Sequence, residues 1–511
     1  MHDEIEEQHT TANYEDAFVA TGHGWFNILV LISGCFIFLY CSVEMAGMSY
    51  VITPLDCDIN LTLSEKSLIN AGIYFGIVGM SILWGLIVDQ YGRRKIMLPT
   101  LIGTIVTSML SSICTLFWPM FILRVIVGCL VSASAGTVLV YLGELHSKKH
   151  RDVAILIAVA SDQINFIIFP GIAWIVISGS WSFNLGPLLV RPWRVFMWVW
   201  GIPGIIGTAI LFYLPESPRF ILAKRGPHAA MPILAKIYAI NNKKMPEDYP
   251  VTSMTMPSFI LMHDTFTGWR KILKDMTQVL RPPMLRCYII THYCMFITYL
   301  LSNGFYMWMP SFINEVIRNP SCPCSMCDII NTKFMKASDW FLDPHDEDDC
   351  DGTTNSLMYP ISMLMELVYF IPFIVLYYII TKVDITKIYI VIMGVCTIGL
   401  VVCFLIKHVI IALLFLIVGL GSGGCVSVIT ALAVEAFPTK LRALTMCTLY
   451  MMGQLGALVG TTAINLMHGF WCNVIFTLFI LAMLASGLLL LKYWPSLEKV
   501  REEMEHRNFT Y

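Results

Sequence analysis

Repeated apolar runs, each long enough to cross a bilayer, set the terms on which this chain can fold. A spanning helix needs about 20 apolar residues, and runs of that length recur along the sequence. Of the 511 residues, 57% are hydrophobic and 13% are charged, where a soluble domain carries about a quarter charged. In hydrocarbon every backbone polar group must be satisfied internally, so such runs are helices. The chain is therefore an all-α polytopic membrane protein.

Twelve spans are predicted. Six lie at about 25–52, 67–88, 96–116, 119–142, 152–178 and 194–214, and six at about 287–313, 357–380, 387–406, 408–433, 442–465 and 473–492. The expected domains are an N-terminal tail (1–23), a six-helix bundle (24–214), a polar central loop (215–286), a second six-helix bundle (287–492) containing a large loop (314–356), and a C-terminal tail (493–511). With both termini on one side, that side collects 25 of the 33 Lys and Arg residues and the opposite loops seven. By the positive-inside rule the terminus-bearing side is expected to be cytosolic. Residues 1–23 hold no Lys or Arg and several acids, unlike a signal peptide. The net charge of −2 argues against a nucleic-acid partner. In the central loop, Pro227–Ile240 and Phe259–Met276 have helical spacing and are expected to form short amphipathic helices at the cytosolic surface.

The two halves repeat. Glu144 and Arg151 after the fourth span have the spacing of Glu435 and Arg442 after the tenth. Two pseudo-symmetric bundles predict such a match. These pairs are expected to bridge spans or clamp the partner half, and to serve gating rather than bulk stability, since an exposed pair is worth ~0–1 kcal/mol.

On the opposite side, Asn60-Leu61-Thr62 is a glycosylation sequon. The large loop holds Cys322, Cys324, Cys327 and Cys350. Disulfides are the favoured reading over metal on an oxidising side, and four cysteines allow three pairings. No calcium-loop pattern accompanies the acidic run 346–349, and no metal site is expected.

Charges within spans are expensive unless paired or facing water. Glu44 has no neighbouring base in sequence and is read as a cavity carboxylate that binds a cation or takes up a proton. Arg124 near the far end of the fourth span could snorkel. Asp162 is the lesser candidate for a solute contact, and Glu366 could pair with Arg124 or a histidine. Tyr299 and Asn303 recur near helical spacing in the seventh span and are candidates for a cavity lining; helix–helix bonding is the commoner role for such residues.

Gly85-Leu-Ile-Val-Asp-Gln-Tyr-Gly-Arg-Arg-Lys95 lies between the second and third spans. It resembles the signature loop of the major facilitator superfamily, departing at Gln90 where a basic residue is usual. Physically, Gly85 permits close packing and Gly92 a turn, while Asp89 can accept from Arg93 or meet a helix N-terminus of the other half. The resemblance implies that Gly85, Asp89, Gly92, Arg93 and Arg94 act as a conformational latch. Its counterpart in the second half, Lys382–Lys387, lacks the glycine and the arginine pair. Pro215-Glu-Ser-Pro-Arg-Phe220 and Val434–Arg442 resemble the branch joining sugar porters, organic ion transporters and synaptic vesicle glycoprotein 2. Ser42-Val43-Glu44, Trp181-Ser182-Phe183 and Trp193-Arg194-Val195-Phe196 look most like the last of these. The resemblance implies a monomeric solute carrier in a plasma or vesicle membrane, working by alternating access on a small organic, cationic solute, with a proton as candidate coupling ion. The alternative is a membrane glycoprotein that regulates trafficking or binds partners without transport. No catalytic constellation or cofactor motif is present in the sequence, so an enzyme is not expected.

Overall fold

The computed structural model describes residues 11–508 except 57, 180, 187, 255–273, 275, 283, 319, 321–324, 331–354, 368–384, 438 and 468–469. Among the described residues, 11 helical segments are long and apolar enough to cross a membrane. The first six are Trp25–Leu55, Leu63–Tyr91, Arg93–Ile113, Phe117–Glu144, Lys148–Ile177 and Pro192–Tyr213. The second half contributes Met284–Arg318, Thr386–Leu405, Val409–Val434, Leu444–Leu466 and Trp471–Lys492. The expected eighth span is described only over its first part, which is helical over 358–367.

Small residues set the closest crossings. A Cβ on Gly76 or Gly128 would run into the backbone of the facing helix, so the second and fourth spans touch almost backbone to backbone. In the second half Gly456 and Gly460 do the same against the seventh span. That span is not a regular helix. After Met284–Tyr299 it widens to a π-turn over Leu300–Gly304, tightens to a 3₁₀ turn over Phe305–Trp308, then resumes as Met309–Arg318. A break of this kind redirects side chains mid-membrane.

The halves meet along the second and eleventh spans. Ser67 Oγ donates to the Thr461 carbonyl at 3.2 Å, and near the other end Gly85 lies against Cys447. Thr53 and Ser311 hydroxyls join the ends of the first and seventh spans at 3.3 Å. Tyr50 stacks on Tyr359 with ring centroids 6.5 Å apart.

The N-terminal tail and the central loop fold together on the terminus-bearing face. A helix Tyr14–Ala20, capped by Asn13, buries Tyr14, Ala17 and Phe18. The strand β1 (Thr11–Ala12) pairs in parallel with β2 (Ser253–Met254). The predicted helix at 227–240 is observed as Pro227–Asn242, and a second helix, Pro218–Arg225, precedes it. Asn241 caps the first span: its Oδ1 accepts from Phe26 N at 3.1 Å, and its Nδ2 donates to Asn27 Oδ1 at 3.0 Å. The Phe259–Met276 helix expected from sequence falls almost wholly outside the described residues. On the opposite face a short hairpin, Phe183–Leu185 with Leu188–Val190, links the fifth and sixth spans.

The disulfide expectation needs correction. Cys327 is bonded to Cys472, at the start of the last span, and not to another cysteine of its own loop. The reading of span cysteines as buried hydrophobes missed it, because Cys472 sits at the membrane edge where a loop can reach it. Cys322, Cys324 and Cys350 lie outside the described residues.

Candidate functional site

Two polar centres and one loop account for the residues singled out in sequence. The first centre is sealed inside the N-terminal half. Arg124 and Glu44 pair at 3.2 Å, and both side chains have 0% exposure. Trp200 of the sixth span donates its indole N–H to Glu44 Oε1 at 3.1 Å, and Arg124 lies 5.6 Å from the Trp200 ring. Ser111 accepts from Arg124, as does Ser108 at 3.4 Å. The sequence reading of Glu44 as a carboxylate without a base is therefore corrected: the base comes from a helix 80 positions away. Arg124 does not snorkel, and it is Glu44, not Glu366, that it pairs with. Gly47 allows the approach, since a Cβ there would collide with the Trp200 ring.

The second centre lies where the halves face each other. Asp162 on the fifth span is 8% exposed, and its Oδ1 is buried without a hydrogen-bond partner. Ser42, Cys41 and Tyr299 are close enough to interact electrostatically with it. Tyr299 closes on Tyr74 and Tyr450, so spans one, two, five, seven and eleven contribute to one polar seam. Asn303 sits one turn further on, half-buried in the π-turn, with Ser302 donating to it at 3.4 Å. Glu366, also 8% exposed, neighbours Tyr50. His292 is used up in packing: its Nδ1 faces the Tyr288 carbonyl at 2.8 Å and its Nε2 faces Thr448 at 3.0 Å.

The signature loop forms the third feature. Gly92 has φ +111°, a backbone state that side chains rarely adopt. It starts the third span, whose first N–H groups point at Glu216. Arg93 N and Arg94 N donate to Glu216 Oε1 and Lys95 N to Oε2, each at 3.1 Å. A carboxylate on a helix N-terminus gains from both hydrogen bonds and dipole. Arg93 bridges Asp89 at 3.2 Å and Glu144 at 3.2 Å, and lies 5.1 Å from the Phe220 ring. Arg94 Nε donates to the Leu211 carbonyl at 3.2 Å. Arg151 does not meet Glu144. Its Nε donates to the Gly143 carbonyl at 2.8 Å and its NH2 pairs with Glu15 at 3.6 Å. Glu435 and Arg442 lie in helices, and their side chains are outside the described set.

On the opposite face Asp58 is a hub. Arg191 reaches it at 2.6 Å, Arg194 at 3.4 Å and the Trp193 indole at 2.8 Å. Arg194 also donates to the Cys114 carbonyl at 3.0 Å, so the Trp193–Arg194 pair ties the first loop to the end of the third span. Asn60 is exposed, while Thr62 of its sequon serves as N-cap of the second span, accepting from Glu65 N at 3.3 Å.

Sequence reasoning quoted Glu216 inside a motif without a role, and it passed over Trp200, Asp58 and Cys472. Only Glu216 carried a local signal, a carboxylate in a Pro-rich turn. The others act through contacts far apart in the chain.

The profile of the Major Facilitator Superfamily matches residues 32–461. The chain is 25% identical to human synaptic vesicle glycoprotein 2A over 252 residues, covering 49% of this chain and 34% of that protein. It is 25% identical to rat synaptic vesicle glycoprotein 2B over 283 residues, 53% of this chain and 41% of that protein. The match thus spans less than half the length of either relative. Among solved structures, the partially occluded inward-open xylose transporter XylE of E. coli superposes with TM-score 0.63 at 13% identity, covering 92% of this chain and 98% of that one. The nucleoside transporter NupG gives 0.57 at 11% identity, covering 91% and 99%.

Proposed function

The chain belongs to the Major Facilitator Superfamily, and on that premise we propose that it carries a small organic cation across the bilayer by alternating access, with Asp162 as the charge the solute meets. The observation that supports this is the buried, unpartnered Oδ1 of Asp162 at the seam between the halves. An ionised carboxylate within a span costs several kcal/mol unless it is paired or wet. The two arginines buried in the N-terminal half are committed elsewhere, Arg124 to Glu44 and Arg194 to Asp58. The counter-charge for Asp162 then arrives with the cargo or as a coupling proton. Ser42 and Tyr299 supply hydroxyls beside it, and Asn303 adds an amide from the π-turn.

In this reading Glu44 and Arg124 do not touch the solute. They hold the first, fourth and sixth spans as one unit that rocks against the other half. Gly85, Asp89, Gly92, Arg93, Arg94, Glu144 and Arg151 form the latch of the N-terminal half, and Glu435 and Arg442 its counterpart. The basic face is the cytosolic one, the protein works as a monomer in a plasma or vesicle membrane, and Asn60 is the glycosylation site. Glu366 beside Tyr50 is the second carboxylate that a proton or cation visits. The protein is a carrier rather than an enzyme.

Uptake into liposomes by purified protein tests the reading. Organic cations should be taken up with saturation, and Asp162→Asn should abolish uptake while leaving thermal unfolding within a few degrees of wild type. Uptake of cations undiminished in Asp162→Asn would remove Asp162 from the site. No uptake across cationic and neutral panels would favour the trafficking or partner-binding reading, which the eroded latch at Lys382–Lys387 supports.

A further inference from the structure

We propose that residues 11–23 form a strap over the N-terminal half, docked at neutral pH and released on acidification through the histidines His23, His146 and His150. This goes beyond the transport reading and does not depend on which solute is carried.

The strap is held at its start by the β1–β2 pairing and near its end by the Asn241 and Asn242 amides on the Thr21 and Gly22 carbonyls. Its helix buries Tyr14, Ala17 and Phe18, Tyr249 Oη donates to the Ala17 carbonyl at 2.5 Å, and Glu15 meets Arg151 at 3.6 Å. At its end the His23 ring stacks on His150 with centroids 4.2 Å apart, and His146 lies 6.1 Å from His23. His146 lies in the turn after the fourth span and His150 in the first turn of the fifth, so three imidazoles from two separate segments share one junction.

His146 is the constrained member, at 2% exposure. Its Nδ1 lies 2.8 Å from the Leu142 carbonyl, which can only accept, so Nδ1 carries the proton of the neutral ring. A second proton must go on Nε2, inside the junction. Burial holds His146 below the ordinary imidazole value of 6.5 and the neighbouring His23 and His150 add to this, together outweighing the backbone hydrogen bonds at Leu142 and Asn27 that favour the charged ring. His23 is lowered by burial and by His150.

The surroundings offer the extra charge little relief. The charged and titratable groups on the packed elements are Glu15 and Asp16 on the strap helix, Glu144 at the end of the fourth span, Lys148, Lys149, Arg151 and Asp152 at the start of the fifth, and His228 and Lys236 on the 227–242 helix. Glu15 is engaged by Arg151 and Glu144 by Arg93. The 227–242 helix presents the neutral amides of Asn241 and Asn242 to the strap. The junction lies beside the N-termini of the first and fifth spans, whose dipoles disfavour a cation, and the C-terminus of the fourth, whose dipole favours one.

The sign follows by linkage. Imidazoles with lowered values in the docked form bind protons more readily once released, so docking is at full strength above about 6.5 and weakens as pH falls below it. Release would also uncover the latch, because Tyr14 lies beside Glu144, the partner of Arg93.

Hydrogen exchange on the intact protein in nanodiscs tests this, at about pH 7.5 and about pH 5.5, either side of the imidazole range, with labelling times scaled for the intrinsic rate. Residues 11–23 should lose protection severalfold at the lower pH while the first span keeps its own. The double variant His23→Gln/His150→Gln should show a smaller loss, and His146→Gln none. If His146→Gln does not fold, the double variant decides. Protection unchanged with pH in wild type, an undiminished loss in the double variant, or a loss shared by the first span would each overturn the proposal.

Discussion

Glu44 and Arg124, on the first and fourth spans, neutralise each other at 3.2 Å with neither side chain exposed. Removing one partner of a buried pair strands the other, at about 3–5 kcal/mol, whereas replacing both with apolar residues is often nearly neutral. Glu44→Gln and Arg124→Met should each lower the unfolding temperature strongly. The double variant Glu44→Leu/Arg124→Met should recover most of it. A thermal double-mutant cycle measures this, and additive losses would show that the two charges act independently.

The third span begins on a carboxylate from the turn after the sixth. Glu216→Ala removes the acceptor from four backbone N–H groups, those of Arg93, Arg94, Lys95 and Ser217, and should cost about 1–3 kcal/mol, the usual penalty for stranded donors. Glu216→Gln keeps an acceptor, loses the charge and should cost less. Chemical denaturation of both variants orders them; equal loss would mean that the charge contributes nothing.

Gly92 combines a left-handed backbone with contact to Glu216. Gly92→Ala therefore meets two penalties, backbone strain of about 1–3 kcal/mol and displacement of the Glu216 cap. Combined with Glu216→Ala, its cost should fall below the sum of the two. Strict additivity in the same denaturation assay would contradict the shared cause.

The Cys327–Cys472 bond closes a segment of 145 residues. Constraining an unfolded loop of that size is worth about 2–5 kcal/mol. Cys327→Ser, Cys472→Ser and the double variant should lose the same amount, since each breaks one bond. Peptide mapping without reductant should recover the 327 and 472 peptides joined. Recovery of Cys327 joined to Cys322, Cys324 or Cys350 would rule this pairing out.

The bilayer's demands made the architecture legible in sequence. Apolar runs of about 20 residues can only be helices, and the spans fell within a few residues of expectation wherever they are described. Local signals also worked: Gly92 at a turn, Asp89 four residues before Arg93, a helix at 227–242. What stayed hidden was pairing between distant helices. Nothing near Glu44 announces Arg124, and nothing near Cys472 announces Cys327. The π-turn at Leu300–Gly304 was equally silent: the close approach of Gly460 to its Leu300 backbone comes from a different span. The fold of the tail and central loop was missed for a related reason. The central loop was read as amphipathic helices at the cytosolic surface with no protein partner named for them, while Asn241 spends its amide on the helix start of the first span.

The same disulfide has a consequence outside stability. Cys327 lies in a short buried helical turn of the large loop, and Cys472 at the head of the last span. That turn of the loop is thereby riveted to the second half. In the proposed alternating access, the stapled turn rides with that half as a pointer. Anything that grips the loop from outside is handed the tilt of that half, and can resist it.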